Sequence, residues 1–262
     1  MCGFLHNLMY QNRIMLKQER QNYILHQLNL HNKVLCADLS SNMGVSDDTV
    51  RRDLQELSQE DKLIKVHGGA LSKSFHTAFD REMVYNIGHK NLIAKKAAAL
   101  VQNGMYILTS GGTSILEFAK SLDKQLNATF FTCSLNAAIE FSHHPSIEVV
   151  MIGDKISKDA MLATGANAVQ AIESIQADLC IMGINSIDTQ FGLSENDWEV
   201  VQIKKAMIKA SKKTVCIGIS EKLNSQQKIK VANLDEIDIL ITELDPNNPL
   251  LAPYKKHGII IY

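Results

Sequence analysis

The chain has 262 residues, with 27 Lys and Arg against 28 Asp and Glu, and a formal net charge of -1. This length suits a small domain followed by a medium one, and each could bury a hydrophobic core. The composition is 45% hydrophobic and 21% charged, which excludes a disordered or fibrous chain. Because no bulk positive field exists, any nucleic-acid site must come from a local arrangement of cations and helix dipoles.

The five cysteines lie far apart, with neither CxxC spacing nor the density of a disulfide scaffold. We therefore expect a reducing, cytoplasmic location. Residues 1–15 are mildly apolar, but polar residues interrupt them before they could form a signal sequence or a membrane span. We predict that they form a flexible extension, and Met15 could equally be the natural start.

Two short helices are predicted at the beginning of a domain that spans residues 16–72. Apolar residues recur at helical spacing over residues 20–30, which predicts the first helix. Apolar residues also form one side of a second predicted helix over residues 36–43. Gly44 fits a left-handed cap that ends the second helix and turns the chain sharply.

A third helix is the candidate recognition helix of a DNA-binding motif. Ser46 fits its N-cap, and apolar residues at helical spacing form an inward stripe. The opposite side presents polar side chains near the helix start, where a recognition helix meets the major groove. Arginine can bond to guanine through two hydrogen bonds or clamp a phosphate. The candidate DNA contacts on this helix are Ser46, Thr49, Arg51 and Arg52.

The run KLIKVHGGA, residues 62–70, alternates apolar and basic residues and ends in a glycine pair that permits a tight turn. It predicts a wing on which Lys65 and His67 point outward as further DNA contacts. The alternative is a small bundle with a solvated charged face, and the spacing alone leaves the two interpretations about equal.

An α/β domain is predicted over residues 89–262, after a linker at residues 73–88 that shows no helical or strand period. Seven short apolar runs, from 105–108 to 259–261, alternate with amphipathic stretches. This alternation predicts βαβ units, hence a mainly parallel, Rossmann-like sheet with helices on both faces. Ligand sites in such folds open at the carboxyl ends of the strands.

Three polar loops, residues 109–114 (TSGGTS), 132–136 (TCSLN) and 183–194, follow predicted strands and could form a convergent pocket. The small residues of the first loop let the backbone approach a ligand, and the positive helix end suits a phosphate. A tight glycine turn without a ligand is an equal alternative. Lys204 could add a charge, although a lone lysine is more commonly solvated. The candidate ligand contacts are Thr109, Ser110, Gly111, Gly112, Thr113, Ser134, Asn136, Gly192 and Lys204.

Neither a metal site nor a cofactor is predicted. His143 and His144 are adjacent, so they do not share a helix face as metal ligands at i and i+4 do, and His26 and His31 have no Cys or carboxylate company. We expect these four side chains on a solvated surface. Trp198 is expected to pack against the helix that it starts.

Residues 45–70, VSDDTVRRDLQELSQEDKLIKVHGGA, resemble the DeoR-type repressor family, whose pattern is close to VSxxTIRRDLxxLxxxGxxxRxHGGA. The resemblance implies a winged helix-turn-helix over residues 16–72. Asp61 replaces the usual Gly after the recognition helix, which is expected to loosen the turn into the wing. Lys65 replaces the usual Arg and keeps the charge without the guanidinium fork.

Residues 89–262 resemble the effector domain of the same family, so the similarity covers nearly the whole chain from about residue 17. It implies a fold of the ribose-5-phosphate isomerase and glucosamine-6-phosphate deaminase type, and a phosphorylated sugar or related metabolite as effector. The family's DSGTT loop falls on residues 109–113, and its last site segment on Glu221 and Lys222. Three carboxylates of the family pattern, which would accept hydrogen bonds from sugar hydroxyls, are missing here. Thr109 replaces Asp, Gln202 replaces Glu, and Ile219 replaces Asp.

The resemblance predicts a repressor of carbohydrate metabolism genes that binds double-stranded operator DNA. Because one small winged domain makes few phosphate contacts, we expect a homo-oligomer on repeated half-sites. The alternative is a sugar-phosphate isomerase or deaminase with an N-terminal appendage. Such an enzyme needs a positioned general base, and with acids missing at 109, 202 and 219 we predict no catalytic residue and no enzyme activity.

Overall fold

The structure, a computed structural model, describes residues 15–31, 33–72, 84–158 and 160–262. The chain divides into two compact units, Met1–Tyr85 and Asn86–Tyr262. Residues 1–14 of the predicted extension and residues 73–83 of the predicted linker lie outside the described residues. In the described part of the chain, no helix combines the length and apolarity needed to cross a membrane.

The first unit is a winged helix-turn-helix. Its three strands pair antiparallel in the order β1-β3-β2 beside the three helices. The core is formed by apolar residues from all three helices, which confirms the predicted inward stripe. The elements are α1 (Lys17–His31), β1 (Lys33–Leu35), α2 (Cys36–Met43), α3 (Asp47–Gln59), β2 (Ile64–Val66) and β3 (Gly69–Leu71).

Two features of this unit differ from the sequence-based prediction. Met15 was assigned to the flexible extension, but it is buried in the core, and its carbonyl oxygen accepts a hydrogen bond from Arg20. Strand β1 was not predicted, because three residues are too short to show an alternating pattern. It forms because β3 pairs with it, with Val34 opposite Ala70.

The second unit alternates helices and strands. The lengths of most elements follow the apolar runs of the sequence. The elements are α4 (Ile87–Ala98), β4 (Tyr106–Thr109), α5 (Thr113–Lys120), β5 (Thr129–Thr132), α6 (Leu135–Ser142), β6 (Glu148–Met151), β7 (Lys155–Ser157), β8 (Leu162–Thr164), α7 (Ala166–Glu173), β9 (Leu179–Gly183), β10 (Ser186–Asp188), β11 (Gly192–Glu195), α8 (Trp198–Lys209), β12 (Thr214–Ile217), β13 (Ile229–Ala232), β14 (Ile239–Ile241), α9 (Ala252–Lys255) and β15 (Ile260–Ile261).

The main sheet has seven strands in the order β15-β14-β12-β9-β4-β5-β6, and all of its neighbouring strands are parallel. This confirms the predicted fold class. The chain builds outward from β4 to β5 and β6, then crosses to β9 and continues on the other side. The order therefore reverses between β4 and β9, and a parallel sheet offers a ligand crevice at such a point, beyond the carboxyl ends of its strands.

Two smaller sheets were not predicted. The hairpin β7–β8 is one, and the antiparallel sheet β10-β11-β13 is the other. The segment 183–194, which we predicted to be a polar loop, contains strand β10 and most of β11. The prediction failed because these strands contain polar residues and therefore lack the apolar pattern of a buried strand. The prediction for Trp198 was also wrong, since this side chain is 64% exposed.

Candidate functional site

The N-terminal end of α3 is fixed by Ser46 and Thr49, both of which were predicted near the start of this helix. Ser46 Oγ accepts a hydrogen bond from the backbone N–H of Thr49 at 3.3 Å, and the two hydroxyl oxygens lie 2.9 Å apart. An N-cap of this kind satisfies a backbone donor that the helix itself leaves open. Ser46 and Thr49 therefore hold the N-terminal end of the candidate recognition helix in place.

The exposed face of α3 carries the two arginines. Arg51 and Arg52 are both exposed, whereas Val50, Leu54 and Leu57 on the other side are fully buried. Arg51 Nη1 lies 3.6 Å from Asp48 Oδ1, and both side chains are more than half exposed. Such an ion pair contributes little, so it yields readily to a phosphate or a base.

A buried ion pair fixes the orientation of α3 against α1. Arg20 donates from Nε to Asp53 Oδ2 at 2.7 Å and from Nη2 to Asp53 Oδ1 at 3.2 Å. Two parallel bonds between a guanidinium and a carboxylate define the relative orientation of both groups. This pair was not predicted from the sequence, although Asp53 directly precedes Leu54 of the inward stripe.

The wing is formed by β2, β3 and the turn between them. Lys65 and His67 are exposed, as predicted. Gly68 at the turn has a φ of 76°, and at Gly69 a Cβ would lie 2.0 Å from the carbonyl oxygen of Val34. Glycine is therefore required at both positions, the first for its backbone angle and the second for the close approach of β1.

Asp61 adopts a left-handed conformation, with a φ of 60°, between α3 and the wing. This explains why the family pattern has glycine at this position, since glycine occupies positive φ without steric cost. Aspartate tolerates the same region better than most residues. The substitution therefore keeps the turn at a modest cost in free energy.

The TSGGTS loop follows β4 at the point where the strand order reverses, and it contacts the two neighbouring loops. Gly183 at the end of β9 donates its backbone N–H to Ser110 Oγ at 3.0 Å. A Cβ at Gly111 would lie 2.9 Å from Ser134 Oγ, so these two loops are in close contact. The structure therefore brings together three of the predicted ligand contacts, Ser110, Gly111 and Ser134.

Lys204 is buried, not solvated, and lies beside the same loops. Its Nζ donates to the carbonyl oxygen of Gly183 at 3.1 Å and to Glu195 Oε2 at 2.6 Å. The other oxygen of Glu195 accepts from the Asn185 amide at 2.6 Å. Lys204 and these hydrogen bonds hold the pKa of the Glu195 carboxyl below its usual value, although burial alone would raise it.

Two further lysines lie at this edge of the sheet. Lys222 Nζ donates to the carbonyl oxygen of Ile184 at 2.8 Å, next to the carbonyl that Lys204 binds. Burial and the nearby charge of Lys90 lower the pKa of Lys222 to about 7. Burial also lowers the pKa of Lys90 to about 8, although Glu117 and Glu221 oppose this shift. In both lysines the effect of burial outweighs that of the nearby carboxylates, so the neutral amine is favoured more than in water.

We call Lys90, Lys204 and Lys222, together with Glu195, the lysine cluster. Lys204 was predicted as a ligand contact, whereas Lys222 was placed in the family's last site segment without being assigned to the site. Glu195 was considered only as a candidate acid for an enzyme, and Lys90 was not predicted. A signal for Lys90 was present, because this lysine occupies a position on the buried stripe of α4 that it shares with Ile93, Ala94 and Ala97.

The residues that replace the family's carboxylates lie in three different surroundings. Thr109 is buried at the end of β4, and its hydroxyl has no hydrogen-bond partner among the described residues. Ile219 is buried. Gln202 lines a groove of about 440 Å³ between α7, α8 and β13, together with Lys205 and Glu236, and not the lysine cluster.

The remaining predicted ligand contacts have different local roles in the fold. Gly112 precedes α5 with a φ of 111° and open space where a Cβ would stand, so glycine is needed for its conformation. Thr113 begins α5, and Asn136 lies in the first turn of α6. At Gly192 a Cβ would lie 2.2 Å from the carbonyl oxygen of Ala232, so strand packing explains this glycine.

Comparison with known proteins gives matches along most of the chain. The family models of the DeoR-like helix-turn-helix domain and the DeoR C terminal sensor domain match residues 20–75 and 85–244. The HTH-type transcriptional regulator GolR of Listeria innocua is 32% identical over 92% of this chain and 96% of its own. The HTH-type transcriptional repressor GlcR of Bacillus subtilis is 28% identical over 94% and 95%.

Two further matches have a lower sequence identity or cover less of the chain. The glycerol-3-phosphate regulon repressor of Haemophilus influenzae is 30% identical over 78% of this chain and 81% of its own. Among solved structures, ribose 5 phosphate isomerase A from Neisseria gonorrhoeae has a TM-score of 0.38 and 19% identity over 51% of this chain and 52% of its own.

A winged helix-turn-helix followed by a parallel α/β sensor domain defines a DNA-binding regulator of transcription. The relatives named above are likewise regulators or repressors. The chain belongs to the DeoR family, which confirms the resemblance on which the functional prediction was based.

Proposed function

We propose that this protein represses carbohydrate metabolism genes and that a phosphorylated sugar or a related metabolite, bound at the lysine cluster, sets its affinity for operator DNA. The observation that carries the proposal is the convergence of three lysines at the carboxyl edge of the sheet, of which Lys90 and Lys204 are buried and Lys222 is half-buried. Lys204 and Lys222 bind the carbonyl oxygens of consecutive residues, and Lys90 lies close enough to lower the pKa of Lys222.

The charge of the cluster favours an anionic ligand. Burial is the main cause that lowers the pKa values of Lys90 and Lys222, so negative charge brought by a ligand would stabilise their protonated forms. A phosphate dianion supplies that charge and accepts several hydrogen bonds at once. The positive end of α5, behind the TSGGTS loop, adds a favourable dipole.

Polar groups for a sugar are also present, despite the substitutions at Thr109 and Ile219. Glu195 and Asn185 lie within hydrogen-bonding distance of each other beside Lys204. A carboxylate accepts from hydroxyl groups and an amide both donates and accepts, so this pair suits a polyol chain. One relative is named a glycerol-3-phosphate regulon repressor, and another, GlcR, is named a transcriptional repressor. Both names support the proposal that this protein is a repressor.

For the DNA interface we propose Arg51 and Arg52 as contacts to bases or phosphates, and Lys65 and His67 of the wing as phosphate contacts. Ser46 and Thr49 hold the helix end that faces the groove. The whole chain has a net charge of -1, so no bulk positive field strengthens DNA binding, and one small winged domain makes few phosphate contacts. We therefore propose a cytoplasmic homo-oligomer that places several winged domains on repeated half-sites.

We propose that the protein is not an enzyme. A general base must be positioned near the substrate and able to take a proton. Glu195 is the buried carboxylate of the cluster, and it is already bound by Lys204 and Asn185. The positions 109 and 219, where the family resemblance expects acids, hold a hydroxyl and an alkyl group.

A thermal-shift screen tests the ligand proposal directly, because a ligand that binds only the native state raises the melting temperature. The purified full-length protein is screened against phosphorylated sugars and polyols. At a concentration of about 100 times Kd, we expect a gain of roughly 2.7 kcal/mol in the free energy of unfolding.

The matched variants are Lys222→Met and Lys256→Met, the second at an exposed lysine. The ligand should stabilise the wild type and Lys256→Met equally, and it should leave Lys222→Met unchanged. A panel in which no compound stabilises the wild type, or an unchanged shift in Lys222→Met, would contradict the proposed site.

A further inference from the structure

Gln55 lies in the middle of the exposed face of α3. It follows Arg52 by three residues and Arg51 by four, so all three side chains share one side of the helix. Gln55 is exposed, whereas its neighbours Asp53 and Leu54 are buried. The side chain of Gln55 therefore faces the same partner surface as those of Arg51 and Arg52.

The chemistry of a glutamine in this place differs from that of the arginines. A neutral amide gains little from a phosphate compared with a cation, but its carbonyl and its NH₂ group match the N6 donor and N7 acceptor of adenine. Glutamine therefore carries sequence information in the major groove, whereas phosphate contacts only position the protein.

Lys65 of the wing orients this amide. Its Nζ donates to Gln55 Oε1 at 2.6 Å, which joins strand β2 to the exposed face of α3. A hydrogen bond from a charged donor is stronger than a neutral one. Because the carbonyl oxygen has two lone pairs, one remains to accept from a base while the NH₂ group donates.

We infer that Gln55 reads an adenine in the major groove, and that Lys65 is a positioning residue that fixes the orientation of its amide. The inference rests on the proposed placement of α3 in the groove. A purely structural alternative exists, in which Gln55 only anchors the wing. The two differ in one observable, since loss of an anchor weakens binding to all sequences alike, and loss of a base contact changes the preferred sequence at one position.

The experiment is a selection from a random double-stranded DNA library, performed with the full-length protein and followed by sequencing. The wild type should enrich adenine at one position of each half-site. In Gln55→Ala, the preference for adenine at that position should fall by about 5- to 150-fold, with the other positions retained. Lys65→Ala should weaken the same preference, and Lys65→Arg, which keeps a charged donor, should restore it.

Two variants serve as controls. Gln59→Ala changes an exposed residue one turn further along α3 and should keep every preference. Arg51→Ala should change a position other than the one assigned to Gln55. If Arg51→Ala alters the selected sequence and Gln55→Ala leaves every position unchanged, Gln55 does not read a base. If neither variant changes the sequence, Gln55 does not read a base, and if Arg51→Ala also leaves the affinity for DNA unchanged, the placement of α3 in the groove fails as well.

Discussion

The ion pair between Arg20 and Asp53 makes the stability of the DNA-binding unit sensitive to one substitution. Arg20→Ala removes both hydrogen bonds to Asp53, at 2.7 and 3.2 Å, and leaves a carboxylate whose side chain is 3% exposed. A buried charge without its partner is costly, because the protein interior solvates it poorly. The same change releases the helix that carries Arg51 and Arg52 from α1.

The magnitude follows from the burial of the pair. Removing one partner of a buried pair costs about 3 to 5 kcal/mol. The Arg20 side chain is 15% exposed, so water reaches the site once the side chain is cut back, and we expect a loss near the lower limit of about 3 kcal/mol. For a domain of this size each kcal/mol lowers the melting temperature by roughly 4 to 8 °C, so we expect a fall of roughly 12 to 24 °C.

Calorimetry of the full-length protein measures this effect, together with operator binding at a temperature between the two melting points. Since each unit has its own core, only the transition of the N-terminal unit should move. A double variant, Arg20→Met with Asp53→Leu, should recover much of the loss, because two apolar side chains leave no buried charge. A melting temperature within about 2 °C of the wild type in Arg20→Ala would refute this reasoning.

Three other outcomes are expected. Arg51→Ala and Arg52→Ala should each weaken operator binding by about 1 to 3 kcal/mol in a titration if each contacts a base, with unchanged melting temperatures. Ligand affinity, measured by calorimetry, should fall as the pH rises through the pKa values of Lys222, about 7, and Lys90, about 8, because the anion prefers the protonated lysines. Over the same range the ligand-free C-terminal unit should gain stability, since its folded state binds fewer protons than its unfolded state. Gly69→Ala should destabilise the wing, because its Cβ would lie 2.0 Å from the carbonyl oxygen of Val34, and circular dichroism melts would detect this.

The local chemistry of the recognition motif was readable from the sequence. Gly44 caps α2 with a φ of 64°, and Ser46 caps α3, as their residue types predict. Each cap depends on one residue and its immediate neighbours. The alternation of apolar runs and amphipathic stretches likewise located the parallel strands, because central strands such as β9 and β12 are buried on both faces and need a continuous apolar run.

Features that depend on distant residues were harder to predict. Strands β1, β10 and β11 are short, β10 and β11 contain polar residues, and all three form by pairing with partner strands. Lys90 lies far from Lys204 and Lys222 in the sequence, so only the folded domain brings these lysines together. The exposure of Trp198 shows the reverse case, in which an apolar side chain finds no neighbour in the described part of the chain to cover it.

Operator affinity in the presence and absence of the stabilising ligand tests the proposed regulation most directly. The titration uses fluorescent operator DNA with the wild type and Lys222→Met. If the lysine cluster controls DNA binding, the ligand should change the operator Kd of the wild type by about 5- to 150-fold and leave that of Lys222→Met unchanged. An operator Kd of the wild type that does not respond to a ligand bound at the cluster would contradict the proposal.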